Sequence, residues 1–382
     1  MDINEVLTRG VEQIFPSKES LHRLMLRKKI SLYQGFDPSM PSLHLGNLVG
    51  LMKLRQFQKL GHKIIFLVGD FTGMIGDPTD RFAPRKQLTR EEVLRNTESW
   101  KTQVAKILDF KGPNPAKFLF NSTWLDNVGF KELIGIAANF TVQQMIERDM
   151  FQKRLKDNKP IYLHEFLYPI AQGLDSVIMD VDLEIGGSDQ IFNMLAGRSL
   201  MKAMKNKEKY VLATKLLIDK EGKKVGKTEG NALFLNSTPS NFYAGIMALA
   251  DEVIPLSFEL FTELPLRGIE EKVRKNPIKE KKRLAFEIVN LLWGGQAAET
   301  AQREFEKTFQ ERNPDYPIEM PIGKNLAETI APFTTLGSLS EAKRIIQQGG
   351  VDVDGEKITN PNFQVVPGSK IKVGKKIFGT AV

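Results

Sequence analysis

The chain has 382 residues, 41% of them hydrophobic and 26% charged, with no cysteine and a formal net charge of +8 at pH 7. That length accommodates two or three domains with cores of their own, and the lack of cysteine excludes disulfides, thiolate zinc sites and a cysteine nucleophile. The basic balance makes a polyanion the first candidate partner, while four scattered histidines and the absence of a long apolar run argue against a histidine-built metal site and a membrane span.

The opening MDINEVLTRG lacks the basic-then-apolar layout of a secretory signal. Ile30–Phe36 then reads as a strand, Leu48–Leu60 as an amphipathic helix ended by Gly61, and Ile64–Gly69 as a continuous apolar strand. Strand, helix, turn and buried strand make a βαβ unit, and hence a parallel sheet. Between the first strand and its helix stand Tyr33-Gln34-Gly35-Phe36-Asp37-Pro38 and His44-Leu45-Gly46-Asn47. The N–H groups at a helix start seat phosphate; Gly46 allows close backbone approach, and His44 and Asn47 add donors one turn apart. Taken singly, HLGN also fits any surface turn before a helix. Next, Gly69-Asp70-Phe71-Thr72-Gly73-Met74-Ile75-Gly76-Asp77-Pro78 is a glycine-spaced loop after a buried strand, where doubly wound sheets bind ligands.

Tyr168-Pro169-Ile170-Ala171-Gln172-Gly173-Leu174-Asp175 has helical spacing that puts Tyr168, Gln172 and Asp175 on one face. A phenol, an amide and a carboxylate among apolar neighbours make either a pocket for a small polar molecule or a buried structural network. A strand is predicted at Leu183–Ile185, running into Gly186-Gly187-Ser188-Asp189-Gln190, a strand-to-helix turn whose carboxylate can bind ribose hydroxyls. After a strand at Val211–Leu217 comes Lys223-Lys224-Val225-Gly226-Lys227-Thr228-Glu229-Gly230-Asn231. Its GKT resembles a Walker A loop, but position 221 is Glu where that motif needs Gly, so the P-loop reading fails by one residue. Two lysines three apart in a glycine-flanked loop can still clamp a triphosphate; a solvated charge run is the plain alternative.

Beyond about residue 230 the pattern turns helical, over Asn241–Glu252, Ile278–Trp293 and Ala297–Gln310. Asn313-Pro314-Asp315-Tyr316-Pro317, with Pro321 and Gly323, then reads as a linker. The stretch from Lys324 reads as a small basic α+β module, with a helix at Leu339–Gln348 carrying Lys343 and Arg344. A hairpin follows, Val351–Val353 turning at Asp354-Gly355.

Together these residues resemble a class I aminoacyl-tRNA synthetase. HLGN is similar to the HIGH motif, KVGKT to the KMSKS loop, and GGSDQ lies between them as in that family. YxGFDP at Tyr33–Pro38, GDP at Gly76–Pro78 and YxxxQxxD at Tyr168–Asp175 resemble the bacterial tyrosyl-tRNA synthetase family specifically, and Ser340–Arg344 with Gly349-Gly350-Val351 resembles an S4 RNA-binding module. Both HLGN and KVGKT depart from the pattern: Asn47 stands where the family usually has a second histidine, and Val225-Gly226 stands for Met-Ser. The tryptophanyl branch shares the fold, but the Tyr33/Asp175 pair suits a phenol, and the S4-like tail is generally absent there. A non-catalytic RNA-binding descendant would have decayed motifs, and these are present.

The resemblance implies an α/β fold: a Rossmann-like parallel-sheet catalytic domain over residues 1–222, with a dimer-forming insertion near 110–165. A helical tRNA-binding domain with the KMSKS-like loop follows over 223–322, and an S4-like domain over 323–382. It implies His44, Asn47, Lys224, Lys227 and Thr228 as catalytic. Tyrosine is assigned to Tyr33, Thr72, Asp77, Asn121, Tyr168, Gln172, Asp175 and Gln190. ATP is assigned to Gly35, Asp37, His44, Gly46, Asn47, Gly187, Asp189 and Lys227, and RNA to Lys343 and Arg344. The implied partners are tRNA(Tyr), tyrosine and ATP with magnesium, in a cytoplasmic homodimer with no resident metal and no membrane.

Overall fold

The computed structural model describes residues 2–79, 88–218, 232–310, 316, 318–334, 337–374 and 377–382. The chain divides into two compact units, Met1–Ser237 with Ile246–Trp293, and Thr238–Gly245 with Gly294–Val382.

In the first unit, β1 (Val11–Phe15), β2 (Ser31–Phe36), β3 (Lys63–Val68), β4 (Lys117–Phe120), β5 (Leu183–Gly187) and β6 (Tyr210–Thr214) form a sheet in the order β1-β6-β5-β2-β3-β4. All its pairings are parallel except that of β1 with β6. Ile64–Val68 of β3 is buried throughout, as the continuous apolar run predicts for a strand covered on both faces. The helix after β2 spans Leu45–Lys59, three residues earlier than its apolar period indicates. His44 and Asn47 form a capping box that fixes the earlier start.

The sheet has two strands that periodicity does not mark. β1 is half exposed on the antiparallel edge, and β4 is four residues long. The helix bearing Tyr168, Gln172 and Asp175 runs Leu163–Met179 and turns out of the helix at left-handed Asp180. It packs against the Ile191–Lys205 helix where two glycines meet: a methyl carbon added to Gly173 or Gly197 would lie 3.2 Å from the other's Cα. The segment expected as one helix over Asn241–Glu252 is instead a helix at Pro239–Met247 and a 3-10 turn at Asp251–Val253. Helices at Ile254–Phe261 and Ile269–Lys275 follow, and the helix expected over Ile278–Trp293 is Pro277–Trp293.

The second unit carries the helix Gly295–Phe305, continued by a π-turn at Glu306–Gln310, and a sheet in the order β7-β11-β10-β8-β9. Its strands are β7 (Ile318–Met320), β8 (Val351–Val353), β9 (Glu356–Ile358), β10 (Lys370–Val373) and β11 (Ile377–Ala381). Met320, Leu326, Ala342, Ile346, Val351 and Ile371 lie in its core beside the Leu339–Gln347 helix. β7 pairs in parallel with β11, so part of the stretch read as a linker is a strand of this module.

Candidate active site

In an open parallel sheet, ligands bind beyond the carboxyl ends of the strands, where the chain winds outward in both directions. Here that point is β2, flanked by β3 on one side and β5 on the other. A cleft of about 270 Å³ opens there. Asp37 follows β2, Thr72 follows β3, Asn121 follows β4, and Gly187, Asp189 and Gln190 end or follow β5. All of them line the cleft.

The deep end is a buried polar network. Tyr33 is fully buried, with its hydroxyl 2.8 Å from Ser176 Oγ. Asp175 accepts from Trp124 Nε1 at 2.8 Å and from Asn121 Nδ2 at 3.2 Å. Asn121 is itself fixed, because its Oδ1 accepts from the Phe71 N–H and its Nδ2 also reaches Thr72 Oγ1. Burial pushes the Asp175 carboxyl well above the usual carboxylate range. The hydrogen bonds from Asn121 and Trp124 oppose that rise, and the nearby Glu184 and Asp37 carboxylates add to it. Burial, followed by the fields of Glu184 and Asp175, likewise raises the Tyr33 hydroxyl, which stays neutral. Tyr33 and Asp175 both line the cleft, so an arriving hydroxyl meets a phenol and a carboxyl in a dry site.

Further along, Asp37 accepts from Tyr168 Oη at 2.8 Å and Thr72 Oγ1 at 2.7 Å. Asp77 accepts from Gln190 Nε2 at 2.7 Å and from the Thr79 hydroxyl at 2.6 Å. Gln172 donates to Glu184 at 2.9 Å. With Asp37 and Asp77 on its walls, this part of the cleft is suited to a cationic group.

The outer part ends at the N-terminus of the Leu45–Lys59 helix, where backbone N–H groups and the helix dipole favour an anion. His44 Nδ1 accepts from the Gly46 N–H at 3.0 Å, which makes Nε2 the donor nitrogen of the neutral ring. Asn47 Oδ1 accepts from the His44 N–H at 2.9 Å, so the group Asn47 offers a ligand is its amide NH₂. His44, Gly46, Asn47 and Gly35 all line the cleft.

The cleft thus gathers every tyrosine and nucleotide candidate except those of the lysine loop. Lys224, Lys227 and Thr228 lie outside the described residues. Both flanks of that loop belong to the cleft region: Leu217 lines it, and Leu233 and Leu235 hydrogen-bond with Leu45 and Leu43 on either side of His44. Lys343 and Arg344 lie elsewhere, exposed on the Leu339–Gln347 helix of the second unit. Sequence reasoning missed Trp124, Ser176, Glu184 and Lys209. None stands in a spaced motif: Trp124 donates to Asp175, Ser176 meets the Tyr33 hydroxyl, and Lys209 pairs with Glu184, the register partner of Tyr33. Among the described residues, no three acidic or histidine side chains converge as metal ligands, and no helix is long and apolar enough to cross a membrane.

Comparison with known proteins matches residues 25–310 to the family of class I tRNA synthetases (W and Y), and residues 335–371 to the S4 domain. The tyrosine–tRNA ligase of Thermotoga maritima is 40% identical over 388 residues, covering 98% of this chain and 96% of its own. That of Haemophilus influenzae is 40% identical over 392 residues, with 99% and 96% covered. Among solved structures, a C-terminally truncated mitochondrial tyrosyl-tRNA synthetase of Coccidioides posadasii superposes with a TM-score of 0.66 at 26% identity, over 79% of this chain and 90% of that one. A tyrosyl-tRNA synthetase of Archaeoglobus fulgidus complexed with L-tyrosine shares the fold at 20% identity, with a TM-score of 0.61 over 79% of this chain and 100% of that one.

Proposed function

The chain belongs to the class I tRNA synthetases of the tryptophan and tyrosine branch, and from that membership we propose how its cleft divides the work. It is a tyrosine–tRNA ligase, which joins tyrosine to AMP with release of pyrophosphate from ATP and then passes the tyrosyl group to the 3′-terminal adenosine of its tRNA. In our reading Tyr33 and Asp175 take the substrate phenol, with Asn121 and Thr72 holding Asp175 and Asp37 in place. Asp77, Tyr168 and Gln172 take the ammonium and Gln190 the carboxylate, while Asp37, Gly35, Gly46, Gly187 and Asp189 seat the nucleoside.

The substrate carboxylate is already an anion at neutral pH, so its attack on the α-phosphate needs no general base. Rate then comes from alignment and from hydrogen-bond donors and cations held against the phosphates as pyrophosphate departs. His44, Asn47 and the start of the Leu45–Lys59 helix supply that at one side. The position of the loop's flanks supports Lys224, Lys227 and Thr228 supplying it at the other. Magnesium enters with ATP. The helical segment within 223–322 and the module at 323–382, with Lys343 and Arg344, take the tRNA. A homodimer through residues 110–165 is supported by Phe130, Val142 and Leu163, which are 79%, 69% and 78% exposed in this chain.

The observation that carries the substrate assignment is the buried Tyr33/Asp175 pair at the end of the cleft. Amino-acid-dependent pyrophosphate exchange tests it, since exchange with tyrosine and not with tryptophan is expected, and equal exchange with both would reject the phenol assignment. Lys227→Ala should slow single-turnover adenylate formation while leaving tyrosine affinity near wild type, because contacts formed at the transition state act on rate. An unchanged rate would remove that lysine from the mechanism.

A further inference from the structure

Glu184 and Lys209 are 1% and 0% exposed, and they form a buried ion pair that no motif announces. Lys209 also donates to the Met194 carbonyl at 3.1 Å. Burial pulls the Lys209 ammonium's pKa down, and the Glu184 carboxylate works against that. Space for the ammonium comes from a missing side chain: a methyl carbon at Gly197 would lie 2.5 Å from Lys209 Nζ and 3.0 Å from Ser176 Oγ. A buried pair of this kind costs desolvation, and an apolar pair of similar volume is often as stable. Stability alone is therefore a poor reason for its presence.

Its other contacts supply a better one. Glu184 is the β5 register partner of Tyr33 on β2. Its Oε1 accepts from Gln172 Nε2 at 2.9 Å, and its Oε2 accepts from Ser176 Oγ at 3.3 Å. A serine hydroxyl has one proton. With that proton given to Glu184, the 2.8 Å contact between Ser176 and Tyr33 is a bond in which Tyr33 donates. One carboxylate thus orients a side chain at the ammonium end of the cleft and another at the phenol end.

We infer that Glu184, held in place by Lys209, is a positioning residue for tyrosine binding, which fixes Gln172 directly and Tyr33 through Ser176. The inference rests on the tyrosine site proposed above. Two variants of the full chain test it by tyrosine-dependent pyrophosphate exchange. Glu184→Gln/Lys209→Met removes both charges together, so neither is left buried alone; Ser176→Ala cuts only the arm to Tyr33. The charge-free variant should melt cooperatively, keep its KM for ATP, and show a KM for tyrosine raised about tenfold, the equivalent of one charge-assisted hydrogen bond. Ser176→Ala should lower the preference for tyrosine over phenylalanine with little change in melting temperature.

A folded charge-free variant with wild-type KM for tyrosine would overturn the inference, and so would Ser176→Ala with wild-type preference. If the charge-free variant does not fold, Ser176→Ala decides alone. Failure of the unmodified chain to exchange with tyrosine would instead sink the site assignment beneath it.

Discussion

A methyl carbon added at Gly69 would lie 2.1 Å from Asp37 Oδ1 and 2.4 Å from Thr72 Oγ1, so the carboxylate that Tyr168 and Thr72 hold occupies the space a side chain would need. Gly69→Ala should therefore displace Asp37 and depress adenylate formation by more than tenfold, about the worth of one hydrogen bond to a charged group. Its loss of melting temperature should be small, which a thermal melt beside an exchange assay would reveal. Tyr33→Phe and Asp175→Asn should each narrow the preference for tyrosine over phenylalanine. A site built for a hydroxyl rejects its absence because polar groups are then left unpaired in a dry pocket. Comparing kcat/KM for the two amino acids measures this, and wild-type ratios in both variants would remove the pair from phenol recognition. Residues in spaced motifs, such as Tyr168, Gln172 and Asp175, were legible in the sequence because helical period alone puts them on one face. Trp124, Ser176 and Lys209 were not, since each reaches the site through a register that one residue's identity does not encode.

The Leu45–Lys59 helix presents donors to the cleft at its start and buries a lysine in its middle. Lys53 is 3% exposed and donates to the carbonyls of Val6 and Arg9 and to Gln56 Oε1 at 2.6–2.9 Å, tying the N-terminal segment to the sheet domain. Burial, with the Arg9 guanidinium beside it, lowers its pKa to about 7, and Glu259 and Glu5 offset only part of this. Between that value and the ordinary 10.5 the unfolded chain holds a proton the folded chain has given up. Stability from this group therefore rises with pH across that window and is lost again as pH falls through about 7. Melting temperatures at pH 7 and pH 10 should show the unmodified chain gaining on Lys53→Met as pH rises; a constant difference would contradict it. β2, this helix and β3 were readable from hydrophobic period, because each is long and buries a whole stripe or both faces. β1, β4 and β7 are short or sit on an edge, and an edge strand need not carry the apolar pattern that marks a central one.

Across the whole chain, the residues proposed for tyrosine and ATP fall in the first compact unit and the S4 match lies in the second. Because β7 pairs with β11, a cut at Lys324 would leave fully buried Met320 without its module, and a deletion of residues 317–382 is the cleaner test. The shortened chain should still form tyrosyl-adenylate but transfer poorly to tRNA, and its tRNA affinity should fall less steeply with salt, since each lost phosphate contact removes about 0.7–0.9 from the log–log slope. Equal charging with an equal slope would show that the tail does not engage RNA. The tail's S4 match was legible through its motif, whereas β7, which pairs with β11, was hidden by prolines that imitate a linker. One cleft at the β2 switch point is proposed to hold the whole adenylate, and a crystal structure with a non-hydrolysable tyrosyl-adenylate analogue would show whether it does. The phenol oxygen should lie within hydrogen-bonding distance of Tyr33 and Asp175, the ammonium against Asp77, Tyr168 and Gln172, and the phosphate mimic at His44 and Asn47. A phenol bound away from Tyr33 and Asp175, or an analogue seated with its ends reversed, would contradict it.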